Sequence, residues 1–165
     1  MKNKPLSDFR INTENNTVHI TREFAANVEF VWNAWTKPMF LDQWWAPKPY
    51  RTETRSMDFK EGGMWLYAMI SPENETHWSK AEYKSIEPTR QISWLDAFCD
   101  ENGNENPEMP HSLWTINFIE NNGITSVNIN IRHDRTADLE MLIQMGFKEG
   151  INMAFENLDK LLLKL

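Results

Sequence analysis

The stretch DLEMLIQMGFKEGINMAFENLDKLLL, residues 138–163, constrains the fold more than any other part of the chain. Apolar side chains recur along it every three or four residues, which is the period of an amphipathic helix. One helix over this range would be roughly 40 Å long at 1.5 Å per residue. So long an apolar face has to be covered by other elements of the same chain.

Three small residues share one face of this predicted helix. Gly146, Gly150 and Ala154 follow one another at steps of four. A glycine inside a helix costs about 1 kcal/mol relative to alanine. Close approach of a sheet, or space for a ligand, would compensate for that cost.

The sequence upstream predicts the sheet that covers the helix. Residues 17–25 alternate as a strand does, and two short helices follow, around Val31 and over residues 39–44. Six more strands are predicted, and turn signals such as Gly62-Gly63 and Asn122-Gly123 separate them. Their ranges are 51–59, 64–70, 77–86, 91–98, 113–119 and 124–133.

These elements predict an α+β fold in which a curved antiparallel sheet of six to seven strands wraps around the long C-terminal helix. Two short helices follow the first strand. Residues 1–16 are polar and form either an edge strand or a loose arm. We find no linker or internal repeat, so we expect one domain over residues 1–165.

Charge and composition exclude several classes of protein. The chain has 165 residues and a net charge of -7, which disfavours binding to nucleic acid. No apolar run reaches the roughly 20 residues of a membrane helix, so we expect no membrane insertion. The first ten residues do not resemble a secretory signal, and Cys99 is the single cysteine. We therefore expect a cytoplasmic protein.

Several short motifs, in order along the chain, resemble one known family. The runs TREFAA (21–26), VWNAWT (31–36), QWWAP (43–47), FKEGGMW (59–65) and GFKEG (146–150) carry this resemblance, together with the turn around Pro88. They resemble the START-like SRPBCC superfamily, in the branch related to the activator of the heat-shock protein ninety ATPase. The match covers about residues 17–165. Ala81 and Ser85 depart from the family pattern.

The resemblance implies a helix-grip fold with a cavity between the sheet and the C-terminal helix. It transfers no activity, because one fold serves many functions. Aromatic and methionine side chains on the strands, and small or aromatic residues on the helix, are the candidates to line the cavity. These candidates are Trp44, Trp45, Trp65, Tyr67, Met69, Trp94, Phe98, Trp114, Phe118, Gly146, Phe147 and Gly150.

Polar candidates are fewer. His77 and His111 are retained as polar groups of the pocket, whereas His133 is interpreted as a solvated strand-end residue. Asp96 is grouped with the acidic loop of residues 100–110, which lacks the spacing of a calcium loop. We identify no catalytic constellation, metal site or cofactor motif.

Three functions remain open. The first is binding of a small hydrophobic or amphipathic molecule in the cavity. The second is a cyclase or hydratase type of enzyme, which requires a buried acidic or histidine side chain with a shifted pKa. The third is a protein-interaction module with a protein partner. Enzymatic activity and oligomeric state stay undecided at this stage, with the balance against an enzyme.

Overall fold

A computed structural model describes residues 6–165, which form one open antiparallel sheet of eight strands and four helices. The strands are β1 (Ser7–Asn12), β2 (Thr17–Phe24), β3 (Arg51–Met57), β4 (Met64–Ile70), β5 (Thr76–Glu87), β6 (Gln91–Cys99), β7 (Ser112–Asn121) and β8 (Ile124–His133). The helices are α1 (Val28–Thr36), α2 (Pro38–Trp44), α3 (Thr136–Gln144) and α4 (Phe147–Leu162). Residues 1–5, where the predicted polar arm begins, lie outside the described residues.

The strand order is β1-β2-β8-β7-β6-β5-β4-β3, so β1 and β3 are the two edges of the sheet. Strands β3 to β8 form the predicted meander, and β8 returns to pair with β2. The α+β class is confirmed, but the expected six to seven strands are corrected to eight. The additional strand is β1, in which Phe9 pairs with Ile20. Its mostly exposed, polar sequence did not distinguish a strand from an arm.

The predicted single C-terminal helix is wrong, because the segment contains two helices. Gly146 separates α3 from α4 and has a φ of 92° and a ψ of 25°. A right-handed helix cannot pass through this conformation, whereas glycine adopts it without a clash of a Cβ atom. The apolar period continues across the break, which explains why periodicity alone predicted one helix.

Helix α4 packs on the inward face of the sheet. The rings of Phe155 and Phe24 meet in a T-shaped arrangement, with centroids 5.7 Å apart. Buried Arg22 donates two hydrogen bonds to the carboxylate of Asp159, and one of them is 3.0 Å long. This bidentate pair attaches the C-terminal half of α4 to β2, because such a pair fixes both distance and orientation.

Helix α2 is attached to the other edge of the sheet through a chain of hydrogen bonds. Trp65 Nε1 donates to Thr54 Oγ1 at 3.0 Å, and Thr54 Oγ1 donates to Asp42 Oδ1 at 2.6 Å. The backbone N–H of Thr54 donates to the same carboxylate oxygen at 3.0 Å. The contacts hold α2 against β3 and β4, next to the space that α3 and α4 cover. No helix within residues 6–165 is both long and apolar enough to cross a membrane.

Candidate ligand cavity

A cavity of about 280 Å³ lies between the inward face of the sheet and helices α3 and α4. It is partly open to solvent, and its surface is mostly apolar. A single water needs only roughly 10–15 Å³ measured in this way, so the space exceeds a packing defect. Its apolar wall includes Val18, Pro47, Met69, Phe98, Ile131, Leu139, Leu142, Ile143, Phe147, Ile151 and Ala154.

The candidate lining residues divide between the cavity and the core behind it. Those that line the cavity are Trp45, Tyr67, Met69, Phe98, Trp114, Gly146, Phe147 and Gly150. Trp44, Trp65, Trp94 and Phe118 instead lie in the hydrophobic core and do not reach the cavity. Strand parity placed Trp65, Trp94 and Phe118 on the correct face of the sheet. Strand parity did not show which residues of that face are covered by other core side chains and which line the cavity.

Trp44 and Trp45 show how adjacent residues separate into these two roles. Trp44 is almost completely buried, and its Nε1 donates to the carbonyl of Ala34 at 2.8 Å. Trp45 lies at the centre of an aromatic cluster, with ring centroids 5.5 Å from Trp65 and 5.9 Å from Trp114. The buried Nε1 of Trp45 has no hydrogen-bond partner among residues 6–165. Trp44 thus belongs to the core, whereas Trp45 also lines the cavity.

The expectation for the histidines is corrected. His77 is exposed at the start of β5 and does not line the cavity. His111 also lies outside it, where Nε2 approaches Asp134 Oδ2 at 2.7 Å and Nδ1 approaches Glu105 Oε2 at 3.0 Å. These contacts, Glu105 foremost, raise the pKa of His111. His111 thus belongs to a surface ion-pair cluster.

His133 is the histidine that lines the cavity, although it was interpreted as a surface residue. Its side chain is buried, and Nδ1 has no hydrogen-bond partner within the described part of the chain. Burial lowers the pKa of His133, against the opposing effect of Asp138 and Asp134. The alternation of Val127, Ile129 and Ile131 continues to position 133 and was the signal that would have identified it.

Asp96 is also corrected, because it belongs to β6 and not to the acidic loop. It lies between Trp94 and Phe98 on the inward face, so strand parity was again the available signal. Asp96 pairs with Ser112 across β6 and β7, and Ser112 pairs with His133 across β7 and β8. The sheet thus brings three polar residues from three strands into one row, at the usual 4.5–5.5 Å between paired Cβ atoms.

The Asp96 carboxyl group has an unusual environment. It lines the cavity, and no group within residues 6–165 donates a hydrogen bond to it or forms an ion pair with it. Burial raises its pKa from an ordinary value of 3.8 to about 7. Near neutral pH the group therefore exchanges readily between carboxylic acid and carboxylate.

Tyr67 lies on β4 on the same side of the cavity. Burial raises its pKa well above the ordinary value, and the charge of Asp96 adds to the rise. Trp45 and Ser79 oppose the rise, although neither meets the geometry of a hydrogen bond to the Tyr67 hydroxyl. Tyr67 thus stays neutral and can donate or accept one hydrogen bond.

No three histidine, cysteine, aspartate or glutamate side chains come together as a metal site among the described residues. What the arrangement offers chemically is an apolar chamber with an aromatic side and one titrating carboxyl group. Only a few polar groups line the cavity, and a mostly apolar lining with a few polar groups is usual for a small-molecule site.

A model of one protein family matches residues 25–163, and it describes activator of Hsp90 ATPase homolog 1-like proteins. The chain belongs to this family. The resemblance to the START-like SRPBCC superfamily is thereby confirmed. The family assignment agrees with the sheet and helices described above but names no ligand for this chain.

Solved structures of bacterial proteins share the fold over almost the whole chain. A crystal structure of a protein from Mycobacterium smegmatis is 28% identical, covers 96% of this chain and 97% of its own, and has a TM-score of 0.87. An NMR structure of a protein from Arthrobacter aurescens is 25% identical, covers 96% and 92%, and has a TM-score of 0.89. A third, from Staphylococcus epidermidis, is 28% identical over 93% of each chain with a TM-score of 0.82. Among curated proteins, none matches this chain in sequence.

Proposed function

We propose that this AHSA1-like domain binds a small, mostly apolar molecule in the cavity between the sheet and helices α3 and α4, as in a helix-grip arrangement. The observation that carries the proposal is the cavity of about 280 Å³ with its mostly apolar wall. Burial of apolar surface stabilises a protein by about 25 cal/mol per Å², and the wall of an empty cavity does not gain this stabilisation. A ligand that fills the cavity recovers this free energy.

Two further features support a ligand. The indole N–H of Trp45 and the Nδ1 atom of His133 are buried without a protein partner. Buried polar groups normally have a hydrogen-bond partner, and a bound molecule or an ordered water is the usual alternative to a protein group. We place this function in the cytoplasm, on the basis of the single cysteine.

A cavity-filling variant tests the proposal. Gly150 lines the cavity, and a Cβ atom added there would meet only Pro47 Cγ, at 3.7 Å. We expect the neutral apolar dye N-phenyl-1-naphthylamine to bind the wild-type protein saturably, with an increase in dye fluorescence. Gly150→Leu should abolish this binding because the leucine side chain occupies part of the cavity.

Gly150→Ala is the matched control, since it removes the glycine but adds only one methyl group. It should keep dye binding within about twofold of wild type. Absence of saturable dye binding to the wild-type protein would refute the proposal. Unchanged binding in Gly150→Leu would place the dye elsewhere and would also count against it.

A second function, general acid–base catalysis in the same cavity, is favoured by one observation. Asp96 lines the cavity and has a pKa of about 7, which suits proton transfer near neutral pH. Tyr67 also lines the cavity, and its neutral hydroxyl would stabilise a developing negative charge. A cyclase or hydratase of this kind would lose turnover in Asp96→Asn but keep dye binding, whereas a pure binding protein shows no turnover to lose.

A further inference from the structure

Asp96 is unlike the other partly buried carboxyl groups of the molecule. Asp42 accepts two hydrogen bonds from Thr54, and Asp159 pairs with Arg22. Asp96 has neither kind of partner among residues 6–165, although it lies inside the fold and faces the cavity. Buried charges in proteins are normally paired, because an unpaired charge in a poorly solvated site is costly.

The elements around Asp96 supply no counter-charge. Tyr67 from β4 and His133 from β8 are the titratable groups that share the cavity with it, and β5 and β7 contribute the neutral residues Ser79 and Ser112. Burial keeps His133 toward its neutral form. Helices α3 and α4 contribute only glycine and apolar side chains to the lining, and no lysine or arginine of the described chain lines the cavity.

One basic residue on a neighbouring strand, Lys80, is already paired outside the cavity. Lys80 precedes Ala81, the residue opposite Asp96, and its Nζ lies 2.9 Å from Glu82 Oε1. Residues 80 and 82 alternate with the inward-facing Ser79 and Ala81, so this pair lies on the other face of the sheet. Burial raises the pKa of the Cys99 thiol, and the charge of Asp96 adds to the rise. Cys99 alternates with the inward-facing Phe98, so it lies on the outward face of the sheet as well.

Aromatic side chains surround the remaining space. Trp45, Tyr67 and Trp114 all line the cavity together with Asp96. The faces of tryptophan and tyrosine rings attract cations within about 6 Å of the ring centroid, and the attraction strengthens where water is excluded. A carboxyl group without a protein partner, in a cavity that three aromatic rings also line, suits a desolvated ammonium group.

We propose that the cavity selects amphipathic amines, and that the Asp96 carboxylate binds the ammonium group of the ligand while its hydrocarbon part fills the apolar wall. This inference rests on the proposed binding function and narrows it to one class of ligand. The ammonium supplies both the missing positive charge and hydrogen-bond donors. A carboxylate or phosphate ligand would face Asp96 with no cation in the lining to compensate, so anionic amphiphiles are excluded.

A competition experiment with three molecules of equal chain length tests the inference. Decylamine, 1-decanol and decanoic acid compete with N-phenyl-1-naphthylamine for the wild-type protein at pH 8. We expect decylamine to displace the dye at a concentration at least about tenfold lower than 1-decanol, as a charge-assisted hydrogen bond predicts. Decanoic acid should be the weakest competitor.

Asp96→Asn keeps the shape of the side chain and removes its charge. It should bring decylamine and 1-decanol within about twofold of each other, when each is expressed relative to the dye affinity measured for the variant itself. Lowering the pH to 5.5 should reduce the amine preference of the wild-type protein, because Asp96 becomes protonated there whereas decylamine stays charged. The alcohol has no titrating group and serves as the control at both pH values.

The outcomes separate the two proposals. If the dye itself fails to bind, both the proposed binding function and the inference that rests on it are wrong. If the dye binds but 1-decanol competes as well as decylamine, the amine selectivity alone is wrong. The inference is also overturned if Asp96→Asn keeps the tenfold preference, because the ammonium group would then bind elsewhere.

Discussion

At the scale of single residues, two aspartates show how hydrogen-bond donors decide the state of a buried carboxyl group. Burial raises the pKa of Asp42, and the hydrogen bonds from Thr54 oppose the rise. Burial also raises the pKa of Asp96, to about 7, and there no donor opposes it. Donors stabilise the charged form of a carboxyl group, so their absence leaves Asp96 ready to bind a proton or a cation.

Replacement of Asp96 should therefore change the pH dependence of stability. The folded state binds the Asp96 proton more tightly than the unfolded chain, whose aspartate titrates near 3.8. The contribution of Asp96 to wild-type stability consequently decreases as the pH rises from about 4 through about 7, because its ionisation favours the unfolded state. We expect Asp96→Asn to be more stable than wild type at pH 8 and to lose this advantage near pH 4, by urea unfolding.

Glu101→Gln is the control for the loss of one negative charge. Glu101 is exposed in the turn that follows β6. Its replacement should leave the difference from wild type nearly constant across the same pH range. Parallel curves for Asp96→Asn and wild type would show that the Asp96 carboxyl group is solvated in the folded protein.

At the scale of elements, the sequence predicted the strands but did not predict the break in the C-terminal helical segment. The predicted strands 64–70 and 124–133 coincide with β4 and β8, because alternating apolar residues and glycine turns leave little choice. The residues of α3 and α4 keep one helical period on both sides of Gly146. Whether a glycine continues a helix or ends it depends on the packing around it, and the local sequence does not contain that information.

Two alanine substitutions should separate the roles of the glycines in this segment. Gly146 has a φ of 92°, so Gly146→Ala should destabilise the protein by about 1–2 kcal/mol, although nothing lies within 4 Å of the added Cβ. Gly150 lies inside α4, and Gly150→Ala should stabilise it by up to about 1 kcal/mol. Urea midpoints measure both. Two stabilising substitutions would instead mean one continuous helix.

At the scale of the whole molecule, one aromatic cluster joins the helices to the sheet. Trp45, directly after α2, packs against Trp35 of α1, Trp65 of β4 and Trp114 of β7, with ring centroids 5.5–5.9 Å apart. Phe155 of α4 extends the cluster to Trp35, at 6.3 Å. These contacts connect elements that are distant in the chain, which favours cooperative unfolding.

We therefore expect residues 1–165 to unfold as one domain. Tryptophan fluorescence and far-UV circular dichroism should give coincident urea transitions, since the tryptophans report on the same core that holds the strands and helices. Two separated transitions would divide the chain into more than one unit and contradict the single-domain expectation. The third function, a protein-interaction module, stays a prediction, for which a pull-down is the direct measurement.

The sequence by itself determined the α+β class, the family, the inward faces of the strands and the acidic charge, because alternation, turn residues and composition are local properties. Only the tertiary structure decided that Asp96, Ser112 and His133 form a row and that Trp45 faces the cavity while Trp44 does not. Strand register brings together residues that are far apart in the chain. A cavity is the space that the packed side chains do not fill. Both arise from non-local contacts, so neither can be derived from any single segment.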